Sequence, residues 1–378
     1  MNQIEPDHPL YEWAECYAAW RNPRVRLRVG AASVGWGLLG ASSVAARAFL
    51  PALRSQPPAQ GSDQVASAWA GAIFSHNDRL AAHFADANQI PTVAVNLTDL
   101  LDRHDIQCVY VSSHPRHHYP LVMAALAAGK HVLCEPPLAL TLDEAQTLVL
   151  AAADRGRVLG VNFTARANPA VQTLREWLRT DRLGDLLGAR VSNTALLPPQ
   201  QQSWRLQPTG GGIIFDRTVH DLDVVRFLFA DEVATLYGAA GPVILSQSAR
   251  TQVTEEVVGH VQLARRRILV QIHDAWSLAH RPAMLELHGT YSTATIDNWT
   301  GSGPQPTLAI TRLNHRTEVP LPSFDPFWLS ILLFQQAIAN AGMPLASGED
   351  GLRNLILAEG FLRSLREKTP ISIPGSQI

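Results

Sequence analysis

Two stretches of this chain carry residue types that could do chemistry together. In Gly210-Gly211-Gly212-Ile213-Ile214-Phe215-Asp216-Arg217-Thr218-Val219-His220-Asp221-Leu222-Asp223 a glycine run leads into a helix. Asp216 and His220 stand four apart and share one helix face. A carboxylate beside an imidazole can hold its tautomer and tune it for proton transfer. His220 is therefore the candidate proton exchanger and Asp216 its orienting group. On spacing alone, a helix-start aspartate and a hydrogen-bonded histidine explain the pair equally well. Just upstream, Trp204 and Arg205 offer a stacking wall and an anchor for an anion or hydroxyl, although Trp204 also fits as plain core.

The second stretch is Gly40-Ala41-Ser42-Ser43-Val44-Ala45, placed where an apolar run turns into a helical pattern. That context gives a dinucleotide fingerprint its meaning. Gly40 permits the tight turn, the small Ser42 lets a pyrophosphate approach the backbone, and Ala45 allows close packing of helix on strand. The N–H groups at the helix start, around Ser43 and Val44, suit phosphate. Ser42 replaces the usual second glycine, and an ordinary tight turn is the alternative. The end of the next strand chooses the cofactor. An acid there would hold the ribose hydroxyl of NAD. Here the stretch is Phe74-Ser75-His76-Asn77-Asp78-Arg79, with no carboxylate at the tip and with Ser75, His76 and Arg79 clustered. This favours NADP(H), with NAD(H) as the alternative. His114, His117 and His118 could suggest a metal, but no companion carboxylate or cysteine motif supports one, and no metal is expected.

The elements that must position these residues alternate in the first half. Val34–Leu39, Ala68–Phe74, Cys108–Ser112, His131–Cys134 and Val158–Val161 read as strands. Val44–Leu50, Asn77–Ala87, His118–Ala128 and Ala145–Ala153 read as helices. Gly129 and Gly156 supply helix ends, and Thr141 with Glu144 forms a capping box. Such alternation means parallel βαβ units. The second half shows Glu256–Leu263, Ile268–Asp274, Met284–His288, Thr293–Asn298 and Leu308–Arg312 as successive strands, with a turn at Arg265–Arg267. Without intervening helices they predict an antiparallel or mixed sheet with one buried face. Helices at Phe327–Asn340 and Gly351–Glu367 close the chain. The expected division is an N-terminal extension at 1–33, a dinucleotide-binding domain at 34–155 and a substrate and oligomerisation domain at 156–378.

Composition narrows the classes. The 378 residues are 46% hydrophobic and 17% charged with a net charge of −2. That fits a packed two-domain globule and gives no electrostatic case for nucleic acid. Cys16, Cys108 and Cys134 are odd in number and show no metal spacing, so they read as buried apolar residues. Residues 1–23 contain acids and no signal-like apolar core, and no apolar run is long enough to cross a membrane. A cytoplasmic location with no membrane partner is expected. Tyr11, Trp13, Tyr17 and Trp20 give the extension one aromatic face. It is expected to dock on the body or to contact a neighbouring subunit or partner.

Taken together these residues resemble the glucose–fructose oxidoreductase / inositol dehydrogenase (Gfo/Idh/MocA) family. The markers are Trp36-Gly37-Leu38-Leu39-Gly40-Ala41-Ser42, Ala128-Gly129-Lys130-His131-Val132-Leu133-Cys134-Glu135, Gly160-Val161-Asn162 and the glycine run ending in Asp216 and His220. Further matches are Leu197-Pro198-Pro199, Trp204-Arg205-Leu206, Gln271-Ile272-His273-Asp274-Ala275 and Gly348-Glu349-Asp350-Gly351. The resemblance implies an α/β protein. An N-terminal Rossmann domain would be followed by an α/β domain whose large open, mostly antiparallel sheet often makes an oligomer interface. It also implies NADP(H)-linked reduction of a sugar ketone in a homodimer or larger homo-oligomer. By the same resemblance Ser112, His118 and Glu135 fall on the cofactor. His114 and Asn162 fall on the small-molecule substrate, beside Trp204 and Arg205.

Two departures stand against it. The family signature Glu-Lys-Pro is Glu135-Pro136-Pro137 here, and proline cannot replace a lysine thought to act near the reacting carbonyl. Pro115 stands where the family usually has an asparagine. Three readings follow: an active reductase, a catalytically impaired nucleotide-binding regulatory or partner-binding protein, and a reductase of another substrate, such as a linear tetrapyrrole, on the same fold.

Overall fold

A computed structural model describes residues 34–55, 68–207, 210–246, 252–279, 283–300, 305–323, 325–340 and 342–374. The aromatic face expected in the N-terminal extension, and Cys16, lie outside them. The chain divides into two compact units.

The first unit holds the five-stranded parallel sheet. Its strands are β1 (Val34–Leu39), β2 (Ala68–Phe74), β3 (Cys108–Val111), β4 (His131–Cys134) and β5 (Leu159–Val161), in the spatial order β2-β1-β3-β4-β5. All adjacent pairs are parallel. The helices Asp78–Ala87, His118–Ala127 and Leu142–Asp154 follow β2, β3 and β4 as the alternation predicts. The Thr141 hydroxyl accepts from the Glu144 N–H, and the Glu144 carboxylate reaches back to the Leu140 N–H, so the cap is made one residue early. Gly129 and Gly156 take positive φ at the helix ends.

This unit extends beyond the boundary expected at residue 155. β5 hydrogen-bonds to β4, and residues 325–355 also belong here. The reason is apolar burial. The helix Pro326–Asn340 buries Trp328, Leu329, Ile331, Leu332 and Phe334. Phe334 meets the fully buried Trp36 with ring centroids 5.5 Å apart. Trp36 also meets Phe49 edge-on at 5.3 Å, and Phe49 stacks on Tyr110 at 3.8 Å. These four rings form one buried aromatic cluster within the first unit. Each such side chain contributes about 1.5–3 kcal/mol through burial.

The second unit is built on a nine-stranded sheet. Its strands are β6 (Leu186–Thr194), β7 (Val233–Ala240), β8 (Glu256–Leu263), β9 (Leu269–Ala275), β10 (Met284–Gly289), β11 (Thr293–Asp297), β12 (Thr307–Arg312), β13 (His315–Val319) and β14 (Ile371–Ser372). Their order is β13-β12-β11-β10-β6-β9-β8-β7-β14. β6 runs parallel to β9, and the other pairs are antiparallel. Val257, Val261, Val270, Ile272, Leu285 and Leu287 are buried on one face. Helices Pro169–Arg179 and Val219–Phe229 belong to this unit. The fold is thus α/β, a Rossmann-type sheet plus a large mixed, mostly antiparallel sheet, as the resemblance implied.

Candidate functional site

In the first unit the chemistry gathers at the carboxyl ends of the parallel strands. Order β2-β1-β3 makes β1 the point where the connections reverse, the place where open α/β sheets bind ligands. Gly40 ends β1 with φ +120°, and a Cβ there would lie 2.7 Å from the Ser113 nitrogen. Both conformation and space therefore demand glycine. The Ser42 hydroxyl accepts from the Ala45 N–H at 3.1 Å and donates to the Ser112 hydroxyl at 2.8 Å, tying the turn to the tip of β3. The Ser42 carbonyl takes the Ala46 N–H. Ser43 and Val44 open the helix, and first-turn N–H groups have no partner within their own helix. Their dipoles favour an anion. The helix begins with a wide π-turn, Ala45–Phe49, before Leu50–Arg54, where the sequence suggested one plain helix. A cradle that excludes a Cβ and opens onto a helix start fits a dinucleotide phosphate.

At the tip of β2, the Ser75 hydroxyl accepts from the Asn77 N–H, and Asn77 caps the following helix through the Leu80 N–H. His76 and Arg79 are exposed. The His76 ring lies 4.6 Å from that of His117, which comes from the loop after β3. The Arg116 Nε donates to His117 Nε2 at 2.9 Å, and the Arg116 N–H donates to His114 Nδ1 at 3.1 Å. His114 thus organises this loop. Its next neighbour behaves differently. His118 is buried, with Nδ1 2.7 Å from the Pro137 carbonyl and Nε2 3.0 Å from the Ser113 carbonyl. Both ring nitrogens are engaged by backbone, so His118 positions the two loops that flank the site.

At the tips of β4 and β5 a chain of hydrogen bonds fixes Glu135. Its Oε1 accepts from the Tyr110 hydroxyl at 2.5 Å and from the Asn162 amide at 2.6 Å. The Asn162 Oδ1 accepts from the Ser330 hydroxyl at 2.6 Å. Asn162, expected on the substrate, here spends its amide on Glu135 and Ser330. Burial pushes the Glu135 carboxyl up to about 7 against the lowering effect of its two donors. Pro136 and Pro137 follow with no side-chain donor.

In the second unit Gly211 and Gly212 take φ of +77° and +65°. Ile213 donates its N–H to the Thr254 carbonyl and anchors the start of a π-turn, Ile214–Thr218. The helix Val219–Phe229 continues from it. Asp216 is held on both oxygens. Oδ1 accepts from Arg205 Nε at 2.7 Å and Oδ2 from the Trp276 indole at 3.1 Å. Arg205 lies 4.3 Å over the Trp204 ring. Arg205 and Trp204 therefore come together with Asp216, and Trp276 is a member that spacing did not reveal. His220 is half-buried. Burial lowers its proton affinity, the charges of Asp216 and Asp223 raise it, and Arg217 lowers it. Asp216 thus acts on His220 through its charge while its own position is set by Arg205 and Trp276. Below the helix, Arg166 makes a buried two-pronged pair with Asp223 at 2.7 and 2.9 Å. Arg217 donates to the Asn193 and Ala275 carbonyls. Among the described residues no group of three or more histidine, cysteine or acidic side chains has metal-holding geometry. No described helix is long and apolar enough to cross a membrane.

A Rossmann sheet with a glycine turn at its switch point, joined in one chain to a unit bearing an imidazole among carboxylates, defines a dinucleotide-dependent oxidoreductase. The family models agree: "Oxidoreductase family, NAD-binding Rossmann fold" matches residues 34–163, and the "GFO/IDH/MocA C-terminal domain" matches 171–295. The chain belongs to the Gfo/Idh/MocA oxidoreductase family. It is similar to the 1,5-anhydro-D-fructose reductase of Ensifer adhaerens, 34% identical over 325 residues, covering 85% of this chain and 92% of that one. Its fold is similar to the aldose-aldose oxidoreductase of Caulobacter crescentus complexed with glycerol, with a TM-score of 0.80 at 20% identity over 90% of this chain and 99% of that one. It is also similar to levoglucosan dehydrogenase in complex with NADH and levoglucosan, with a TM-score of 0.78 at 21% identity over 90% and 100% of the two chains.

Proposed function

We propose that the protein is an NADP(H)-dependent oxidoreductase of a sugar-like ketone or alcohol, with chemistry similar to that of its 1,5-anhydro-D-fructose reductase relative. The observation that carries this reading is His220, half-buried between opposing charges, in a chain that keeps the phosphate-facing turn Gly40–Val44. The backbone at Ser42, Ser43 and Val44 would hold the pyrophosphate. Ser75, just after β2, and Arg79, on the helix that follows, would face the adenosine ribose, and Ser112 and Glu135, just after β3 and β4, would face the nicotinamide. A nicotinamide cofactor supplies the hydride when bound.

His220 then gives a proton to the oxygen of the reduced carbonyl, or takes one in the reverse direction. Asp216, pinned by Arg205 and Trp276, holds a negative charge by it and favours the imidazolium during transfer. Because burial lowers the proton affinity of His220, ketone reduction gains as pH falls through the lower part of the histidine range. Oxidation, which needs the neutral ring, gains above it. Trp204 supplies an apolar wall. The alternative of a non-catalytic nucleotide-binding protein rests on Pro136, and the sugar reductases and dehydrogenases among the relatives speak for the enzyme.

The same reading gives a homo-oligomer packed through the second sheet and a cytoplasmic location. The open sheet face carries the exposed Val258 and Leu269 among Arg190 and Gln271, the mixed character of protein interfaces. The test is NADPH oxidation on a panel of 2-keto sugars and anhydro-sugars. Turnover of at least one, reduced by about 10²–10⁴-fold in His220→Ala, is expected. Unchanged turnover in that variant would refute the role of His220.

A further inference from the structure

The stretches 210–223 and 271–275 each contain an aspartate with no part in the proposed chemistry, Asp221 and Asp274. The structure brings the two together inside the second unit. Asp221 is on the helix Val219–Phe229, Asp274 is near the end of β9, and both are fully buried. Their carboxyl groups lie within hydrogen-bonding reach of each other. Each gives one oxygen to a protein donor. Asp274 Oδ2 accepts from the Thr218 hydroxyl at 2.5 Å, and Asp221 Oδ1 accepts from the Asn193 amide at 3.3 Å. The other two oxygens, Asp221 Oδ2 and Asp274 Oδ1, are buried, and among the described residues no N–H or O–H donor reaches either.

Two carboxylates in contact repel, and a buried acceptor without a donor is costly. One proton held between the two bare oxygens removes both penalties. The charges around the pair agree with a single proton. The π-turn contributes Arg217, β9 contributes His273, which is itself set on Glu256, and β6 contributes only the neutral Asn193. Asp216 is already matched by Arg205. A pair with one proton carries one negative charge and balances Arg217. Burial, then the charge of Asp274, hold the Asp221 carboxyl well above the ordinary aspartate range. Burial raises Asp274 too, while Asp221, Thr218, Arg217 and His273 pull it down. The proton therefore rests on Asp221, which donates to Asp274.

The pair lies directly behind the site. The residue after Asp274 is Ala275, whose carbonyl takes Arg217, and the next is Trp276, whose indole holds Asp216. The residue before Asp221 is His220. We infer that Asp221 and Asp274 share one proton and are positioning residues, their hydrogen bond fastening the helix of His220 to the strand end that leads to Trp276 and so setting Asp216 and His220 relative to each other. The effect on turnover rests on the proposed function.

Infrared difference spectra of the full chain, wild type minus Asp221→Asn at neutral pH, test for the proton. The expected band is the carbonyl stretch of an un-ionised carboxylic acid, present in wild type and missing in the variant; its absence would overturn the inference. Denaturant unfolding from about pH 5 to 8 is a second test. The folded pair binds its proton more tightly than aspartates of the unfolded chain do. Its contribution to stability is therefore full below the ordinary aspartate range and is lost as pH rises towards the raised value. Asparagine keeps the bond to Asp274 with no proton to take up. The unfolding equilibrium constant of wild type should thus rise relative to that of Asp221→Asn by about tenfold per pH unit, and a constant ratio would overturn the shared proton. For the positioning role, Asp221→Ala should lower kcat about 10²-fold, the cost of a small misplacement, with NADPH affinity unchanged, and Asp221→Asn should recover most of the loss. The Trp276 indole N–H resonance should move in Asp221→Ala and stay in Asp221→Asn. An asparagine variant as slow as the alanine one, or an alanine variant with full turnover and an unmoved indole resonance, would overturn the positioning role. Wild type that reduces no sugar would overturn the proposed function, while the infrared band, the unfolding ratio and the indole resonance would still decide this inference.

Discussion

Pro136 has no group that can carry a proton, and the family lysine it replaces does. If that loss limits the rate, Pro136→Lys should raise turnover on a sugar ketone by at least tenfold, within the usual worth of a placed acid or base. Steady-state kinetics checks it, and an unchanged rate would mean that the chemistry no longer needs a lysine. Glu135, next to it, gives a stability prediction. Its carboxyl is raised from 4.5 to about 7, so the folded state binds this proton more tightly than the unfolded chain does. The stability it contributes is full below about pH 4.5 and is lost as pH rises through 7. Glu135→Gln keeps an acceptor for Tyr110 and Asn162 and should flatten that slope in denaturant unfolding across this window. An unaltered slope would place the shift elsewhere. At this scale local spacing singled out His220, Asp216 and Gly40, and the family resemblance singled out Glu135. It could not show that Asp216 is taken by Arg205 and Trp276, since Trp276 is 60 residues away and joins only through β9. Nor could it show that Asn162 hydrogen-bonds to Glu135 and Ser330, or that His118 bridges the Ser113 and Pro137 carbonyls.

Elements whose apolar period is strong were legible almost to the residue. β2, β4 and β8 start and end where the pattern put them. β6 was not seen, because Leu186–Thr194 contains Gly188, Arg190 and Asn193 and owes its strand to pairing on both edges, with β10 and β9. β13 has almost no buried residue and forms through its turn with β12. Likewise nothing local announces that residues 325–355 pack with the first unit; Phe334 finds Trp36 across nearly the whole chain. Truncating that contact by Phe334→Ala should cost about 3–5 kcal/mol. It should lower the melting temperature of the nucleotide-binding unit, measured by calorimetry with and without NADPH. The turn after β1 makes a second prediction. Gly40→Ala forces a Cβ to φ +120° and to within 2.7 Å of Ser113. It should weaken cofactor affinity at least tenfold while destabilising the fold by about 1–3 kcal/mol. Undiminished affinity would mean that the phosphates sit elsewhere.

For the whole molecule, the open face of the nine-stranded sheet predicts self-association. Light scattering at micromolar concentration should give a multiple of the 41.2 kDa chain, and a monomer mass would remove the sheet from the account. In the proposed function this chain passes hydride between NADP(H) and a sugar-like carbonyl, with His220 managing the proton. The most direct measurement is isotope transfer. Wild-type protein incubated with NADPH deuterated on the transferred position, and with a panel of 2-keto and anhydro-sugars, should yield a sugar alcohol with one deuterium on the former carbonyl carbon, seen by NMR. His220→Ala should do so far more slowly. NADPH that binds tightly while no sugar acquires deuterium, even over days and in Pro136→Lys as well, would contradict the account.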